Sequence, residues 1–363
     1  MKAHAANAKP DGTTGEKPRN TRNTRKQGIE QGGKPPGSRV NLMIQSPIAS
    51  FRVFRVFRGF SLSLIFVCAA SALFLIGCGK SHPAVVVYCA QDQEYAEPVF
   101  KDFEKETGIQ VRALYDDEAV KTVGIANRLV VEKAHPHCAV FWGNEEMRTR
   151  QLAAENVFRA TNGWVAFGYR SRRLVINTNR LSLAKAPRSL LDLTNPIWRG
   201  KLAMAYPQFG TTSTQFHALR QLWGDAKWQA WCRGLVANHV IVVDGNSVVV
   251  KVVGSGQAWI GMADSDDVAA GQREGLPVAA LPINSETLLI PNTVGVVRGA
   301  PPDAQKLFDY LQRPSVVRRL IAASALEGIS TSAVSTPTLR VDWKALLHDM
   351  NSTTAELNRI FLR

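Results

Sequence analysis

From Val85 onward, short β-branched apolar runs alternate with stretches whose apolar residues recur every three to four positions. Strand, helix and strand in series build an α/β fold with a mostly parallel sheet, so this alternation narrows the choice of architecture at once. Val85–Tyr88 is too short for a helix and reads as a buried strand. Glu94–Lys105 carries Tyr95, Val99, Phe100 and Phe103 at helical spacing, with Gly108 as its stop. The same pattern predicts strands over 109–114, 138–142, 173–177, 201–205, 240–243, 259–263 and 288–297. It predicts helices over 119–133, 213–223, 226–235, 247–254, 268–273, 304–311 and 315–324, with two short ones at 343–347 and 355–361. The 363 residues suit about two domains. No internal repeat or low-complexity linker interrupts 84–363, so the two lobes are expected to be interwoven. The expected division is 84–163 with 288–335 in one lobe, and 164–287 with 336–363 in the other.

The first 80 residues read as an address rather than as structure. Residues 1–42 are rich in Gly, Pro, Asn, Lys and Arg and hold too little apolar surface to fold. Arg52, Arg55 and Arg58 then precede Phe60–Gly77, an apolar run without a charge, which is the plan of a secretory signal. Met43 is the expected true start, which makes 1–42 an over-extended reading frame. Leu75-Ile76-Gly77-Cys78 resembles the lipobox of bacterial lipoproteins, which implies a signal peptide over 43–77, lipid on Cys78 and a short linker over 78–83. Acyl chains would then hold the protein to the outside of a membrane. The run also has the length of an uncleaved anchor helix.

Composition removes several classes. The formal charge is +14, but residues 1–78 hold 12 Lys/Arg against 3 Asp/Glu and so carry +9 of it. The folded part keeps +5, and a nucleic-acid partner is not expected. Of five cysteines, Cys68 and Cys78 belong to the address, leaving Cys89, Cys138 and Cys232 for one disulfide at most. No G-x-S-x-G elbow, H-E-x-x-H helix or P-loop occurs, and His135-Pro136-His137 reads as a solvated loop. An enzyme is therefore not expected.

Several segments in order resemble one family. Val87-Tyr88-Cys89-Ala90-Gln91-Asp92 and Phe103–Ile109 are similar to the opening of periplasmic solute-binding proteins. Ala126–Leu129, Val140–Glu145, Tyr169–Thr178, Pro196–Lys201, Gly210–Thr214, Asp244–Ser247 and Leu289–Thr293 resemble its ferric-iron branch. The resemblance runs over about 84–335. It implies a two-lobed type II periplasmic-binding-protein fold with a ligand cleft at a hinge of crossing strands. It implies delivery of solute to an ABC permease and its ATPase by a monomer, with Fe(III), or an iron chelate, as transported ligand and no catalytic cofactor.

Candidate ligand residues fall at strand ends, where open α/β sheets bind. Thr211, Thr212 and Ser213, beside Gly210, open a helix whose N–H groups and hydroxyls favour an anion; the resemblance implies the synergistic anion of an iron site. Their other role is to cap that helix. Asp264 and Asp266, in the tract Asp264-Ser265-Asp266-Asp267, suit a hard cation or an ammonium group, and Asp at a helix start is also a cap. The resemblance adds Asp92, Asn144 and Glu145, with Asp92, Glu145, Asp264 and Asp266 as metal ligands. It also exposes a departure. Many ferric-binding members of that family carry adjacent tyrosines where this chain has its acidic tract, and Tyr88, Tyr95, Tyr115, Tyr169, Tyr206 and Tyr310 include no adjacent pair. Iron held by carboxylates, an iron chelate, and a small organic cation or aminophosphonate all remain open as ligands, as does a lipid-anchored sensor without a transporter.

Overall fold

The computed structural model describes residues 84–115 and 121–362. The expected extension, signal peptide and lipidated Cys78 lie outside the described residues. Strands β1 (Ala84–Cys89), β2 (Gln110–Leu114) and β3 (Val140–Gly143) form a parallel group with β1 in the middle. Val85, Val87 and Cys89 face one apolar layer and Tyr88 the other, as a strand buried on both sides requires. Helix α1 (Gln93–Thr107) covers the first face, and α2 (Lys121–Val131) with α3 (Glu146–Ala154) covers the second. Gly108, at φ +71°, closes α1 by donating its N–H to Glu104 O.

Strand β4 (Trp164–Asn177) serves both halves of the molecule. Its first half pairs with β9 (Leu289–Val296), which in turn pairs with β3. Its second half pairs with β7 (Ile260–Asp264) and β8 (Val278–Ala280). Beyond β7 lie β5 (Leu202–Ala205) and β6 (Ile241–Val243), again parallel. The order is β2-β1-β3-β9-β4-β7-β5-β6, parallel at each flank and antiparallel through the crossing strands. The β4–β9 register slips between Phe167 and Arg170, where Gly168 takes φ +56°. A side chain there would run into Leu326, so only glycine allows the bend.

The second half packs α4 (Gly210–Trp223) and α5 (Asp225–Ala237) on one face. On the other are α6 (Asn246–Gly254) and α7 (Ser265–Arg273). Helices α8 (Pro302–Leu311) and α9 (Pro314–Ala322) return to the first half, beside α1. The chain then crosses once more, and α10 (Trp343–Phe361) completes the second core with Leu346, Met350, Leu357 and Ile360 on one face. Among the described residues no helix is long and apolar enough to cross a membrane.

Four elements differ from the sequence pattern, the first being β8, a three-residue strand that the pattern does not predict. α3 is not predicted, because Glu-Met-Arg-Thr-Arg-Gln shows no apolar stripe, yet Arg148 and Thr149 are buried in it beside Met147. The two short C-terminal helices are one. Their junction, Asn351-Ser352-Thr353-Thr354, consists of weak helix formers, and tertiary contact outweighs propensity where Thr353 is buried and its hydroxyl donates to Asp349 O. β4 starts nine residues before the apolar run that announces it, its early part alternating Trp, Phe and Tyr with small and charged residues.

Arg150 lies between the rings of Trp164 and Trp343, 5.2 and 5.0 Å from their centroids, joining α10 to the first half. Leu357→Ala should cost about 2–4 kcal/mol in urea unfolding, since its side chain is wholly buried in the second core. A loss below about 1 kcal/mol would mean that α10 is only loosely docked.

Candidate functional site

The ends of β1, β3, β5 and β7 converge on a narrow cavity of about 50 Å³. Asp92 and Asn144 form its wall from the first half. Arg170 comes from the crossing strand β4. Ala205, Tyr206, Phe209, Gly210, Thr211, Thr212, Asp244, Gly245, Asn246, Asp264, Asp266 and Asp267 form the rest. Three helix starts (α4, α6 and α7) meet here. The first-turn N–H groups of each have no intrahelical acceptor by position.

Two buried guanidinium groups organise the floor. Arg172 Nη1 lies 2.7 Å from Asp264 Oδ1, and Arg170 Nη2 lies 3.2 Å from Asp264 Oδ2. Thr211 Oγ1 donates to the same Oδ2 at 2.8 Å. Asn246 accepts from Arg172 at 2.7 Å and donates to Thr211 Oγ1 at 3.1 Å. Burial disfavours the charge on Asp264, but Arg172, then Arg170, and the bonds from Arg172 and Thr211 outweigh it and hold its carboxyl below the usual range. Asp264 occupies the N-cap position of α7 without making a cap bond, so the arginines explain it, not capping.

Asp266 differs. It is 4% exposed, its Oδ1 lies 3.3 Å from Arg170 Nε, and no hydrogen bond reaches that oxygen. Burial, with the charges of Asp264 and Asp92 added and Arg170 opposing, pushes its carboxyl up to about 7. The carboxylates of Asp264, Asp266 and Asp267 have oxygens within 4.8 Å of one another. Counting Asp92 and Asp244, five carboxylates face two guanidinium groups, and the cavity favours positive charge.

The structure brings Asp92, Asn144, Thr211, Thr212, Asp264 and Asp266 to one cavity and leaves Glu145 and Ser213 out of it. Glu145 is 1% exposed and caps α3, accepting from Met147 N at 2.7 Å and Arg148 N at 2.9 Å. It also accepts from Thr214 Oγ1 of α4 at 2.9 Å, so its oxygens are occupied behind the wall. Ser213 is buried against His217, 3.4 Å from Nδ1. Arg170, Arg172, Tyr206 and Asn246 are cavity or floor residues that the pattern did not single out. Arg170 and Arg172 share one face of β4, and a buried acidic tract needs such partners; that pairing is the signal available in the sequence. Cys138 and Cys232 are buried thiols, with Cys138 pushed up to about 12 by burial, and Cys89 Sγ donates to Gln91 O.

Two sheets joined by crossing strands, with a polar cavity where strand ends meet helix starts, define a type II periplasmic-binding-protein fold. The chain belongs to the bacterial extracellular solute-binding protein family, whose model matches residues 144–346. That family binds solutes and is not catalytic. A Serratia marcescens relative, named Fe(3+)-binding periplasmic protein, is 29% identical over 220 residues, covering 56% of this chain and 63% of that protein. The chain thus spans under two thirds of that relative's length. Iron-bound HitA from Pseudomonas aeruginosa superposes with a TM-score of 0.66 at 18% identity, over 76% of this chain and 99% of that one. AfuA from Actinobacillus pleuropneumoniae, solved with fructose-6-phosphate, gives 0.65 at 19%, over 78% and 99%.

Asp266 makes the cavity pH-sensitive. Its folded pKa lies above the unfolded value, so its charge costs stability progressively as pH rises from about 4 through 7. Asp266→Asn should therefore melt above the parent at pH 8, by up to roughly 4 kcal/mol, and the gap should close by pH 4. Equal melting curves at both pH values would show that Asp266 carries no such penalty.

Proposed function

We propose that this chain is the solute-capturing component of an ABC importer, closing two lobes over ferric iron held together with an anion and handing it to a membrane permease. The observation that carries the reading is the carboxylate group Asp264, Asp266 and Asp267 set opposite the N-terminus of α4 in a cavity walled from both lobes. Hard oxygen donors suit Fe(III), and the first turn of α4 suits its anion. The name of the Serratia relative supports the same cargo. In this reading Asp266, Asp267 and Asp92 meet the metal, Thr212 and Gly210 the anion, and Asp264 positions Thr211 and the arginines. Lipid on Cys78 would keep the protein beside its permease.

A second cargo has its own support. Asp264 has both oxygens engaged, and Tyr206 is the one phenol lining the cavity, which leaves few strong ligands for Fe(III). A small organic cation or aminophosphonate would use the same carboxylates through an ammonium group.

Thermal shift of the metal-stripped protein separates the two. Fe(III)-citrate at a hundredfold excess over its Kd should add about 2.7 kcal/mol and raise Tm by roughly 5 °C or more. Asp92→Ala and Asp266→Ala should abolish the rise, while Ser213→Ala keeps it. A rise with 2-aminoethylphosphonate and none with iron would retain the importer and replace the cargo.

A further inference from the structure

Helix α7 connects the solute cavity to the opposite lobe. Its first turn places Asp266 and Asp267 in the cavity, and its last residue, Arg273, reaches out of its own lobe. Arg273 Nη2 donates to Tyr95 Oη of α1 at 2.8 Å, and Nη1 donates to Ala323 O, just past α9, at 3.3 Å. Both acceptors belong to the first lobe. The nine residues of α7 span about 13 Å, so one rigid element carries solute ligands at one end and a cross-lobe tie at the other.

Between those ends lies an outer chamber of about 190 Å³, which shares Asp92, Asp266 and Asp267 with the inner cavity. Tyr95, Ala270, Gly271 and Glu274 line it, so the Arg273–Tyr95 bond is made at its edge. Tyr95 is 8% exposed, and its ring packs in the first core beside Val99 and Phe100. The hydroxyl is thus presented on a fixed ring, a preorganised acceptor for a guanidinium arriving from the other lobe. Other cross-lobe ties among the described residues have different partners: Thr214 of α4 donates to Glu145, Arg148 meets Met350 of α10, Arg150 meets Trp343, and Arg173 meets Glu327 beside the crossing strands.

We propose that Arg273 and Tyr95 form the latch of the cleft, setting the closed fraction and therefore how long solute is retained. The proposal rests on the reading that the lobes close over a solute, and not on which solute it is. A solute held only by the closed form is bound more weakly by the factor in which that form is depleted.

Labels at Val131→Cys and Leu222→Cys, both exposed and on opposite lobes, report lobe separation by electron-spin distance measurement. Tyr95→Phe loses one hydrogen bond to a charged group and should lower the closed-to-open ratio about ten- to a hundredfold, and Arg273→Ala, which also loses the bond to Ala323 O, at least as much. The double variant should do no more than the larger single one, and the melting temperature should stay within about 1 °C of the parent. Arg318→Ala, an exposed arginine on α9, should leave the distances unchanged. With Fe(III)-citrate as probe, the latch variants should raise Kd by the same factor. Distances superimposable on the parent in both variants would overturn the latch, as would an equal shift in Arg318→Ala. If neither iron nor 2-aminoethylphosphonate binds, the cargo readings fail while the distance result still decides the latch.

Discussion

The pairing of Arg170 and Arg172 with Asp264 is the constraint on which the centre of this molecule depends. Two guanidinium groups and a carboxylate are buried together where β4 passes from one sheet to the other. Removing either sign would leave an uncompensated charge out of water, at a cost of about 3–5 kcal/mol. The pairing fixes the register of β4 against β7, because Arg172 and Asp264 are partners in the ladder as well as through their side chains. It also orients Thr211 and Asn246, and with them the starts of α4 and α6. Arg170 continues the chain of contacts through Asn292 of β9 to Gln91, next to Asp92. One polar network therefore links both crossing strands to both walls of the cavity.

The layout of the fold was legible because buried parallel strands announce themselves: Val85–Tyr88 and Ala139–Trp142 have no other reading. What escaped detection shares one cause. α3 buries Arg148 and Thr149, β4 buries Arg170 and Arg172, and α10 passes through Asn351–Thr354. In each, polar residues occupy interior positions because a tertiary partner satisfies them, and no local pattern displays that partner. The site shows the same division. Strand ends and helix starts marked Thr211, Thr212, Asp264 and Asp266 as neighbours in space. Glu145 had the same credentials, a carboxylate after a strand, and is used instead as the cap of the helix that the pattern did not show. The helix that the pattern does not show and the place of Glu145 outside the cavity are thus one fact.

Asp264 and Asp266 sit two residues apart and behave oppositely. The first is neutralised by arginine and bonded on both oxygens; the second is buried with an oxygen 3.3 Å from Arg170 Nε that accepts no hydrogen bond. The protein carries the cost of Asp266 at neutral pH, and a group retained against stability at a cavity wall is an indication of binding. The acidic tract thus combines a structural carboxylate with one poised for a positive partner, a distinction that the spelling Asp-Ser-Asp-Asp conceals.

The threading of the chain through both lobes has a consequence for biogenesis. The first core needs β9, α8 and α9, and the second needs α10, so each waits for segments made long after its first strands. An emerging chain would hold exposed apolar segments and long-range contacts still unmade, and its folding would wait on chain completion. In the proposed reading, where the chain crosses a membrane before it folds, the order of the segments itself postpones the compact state.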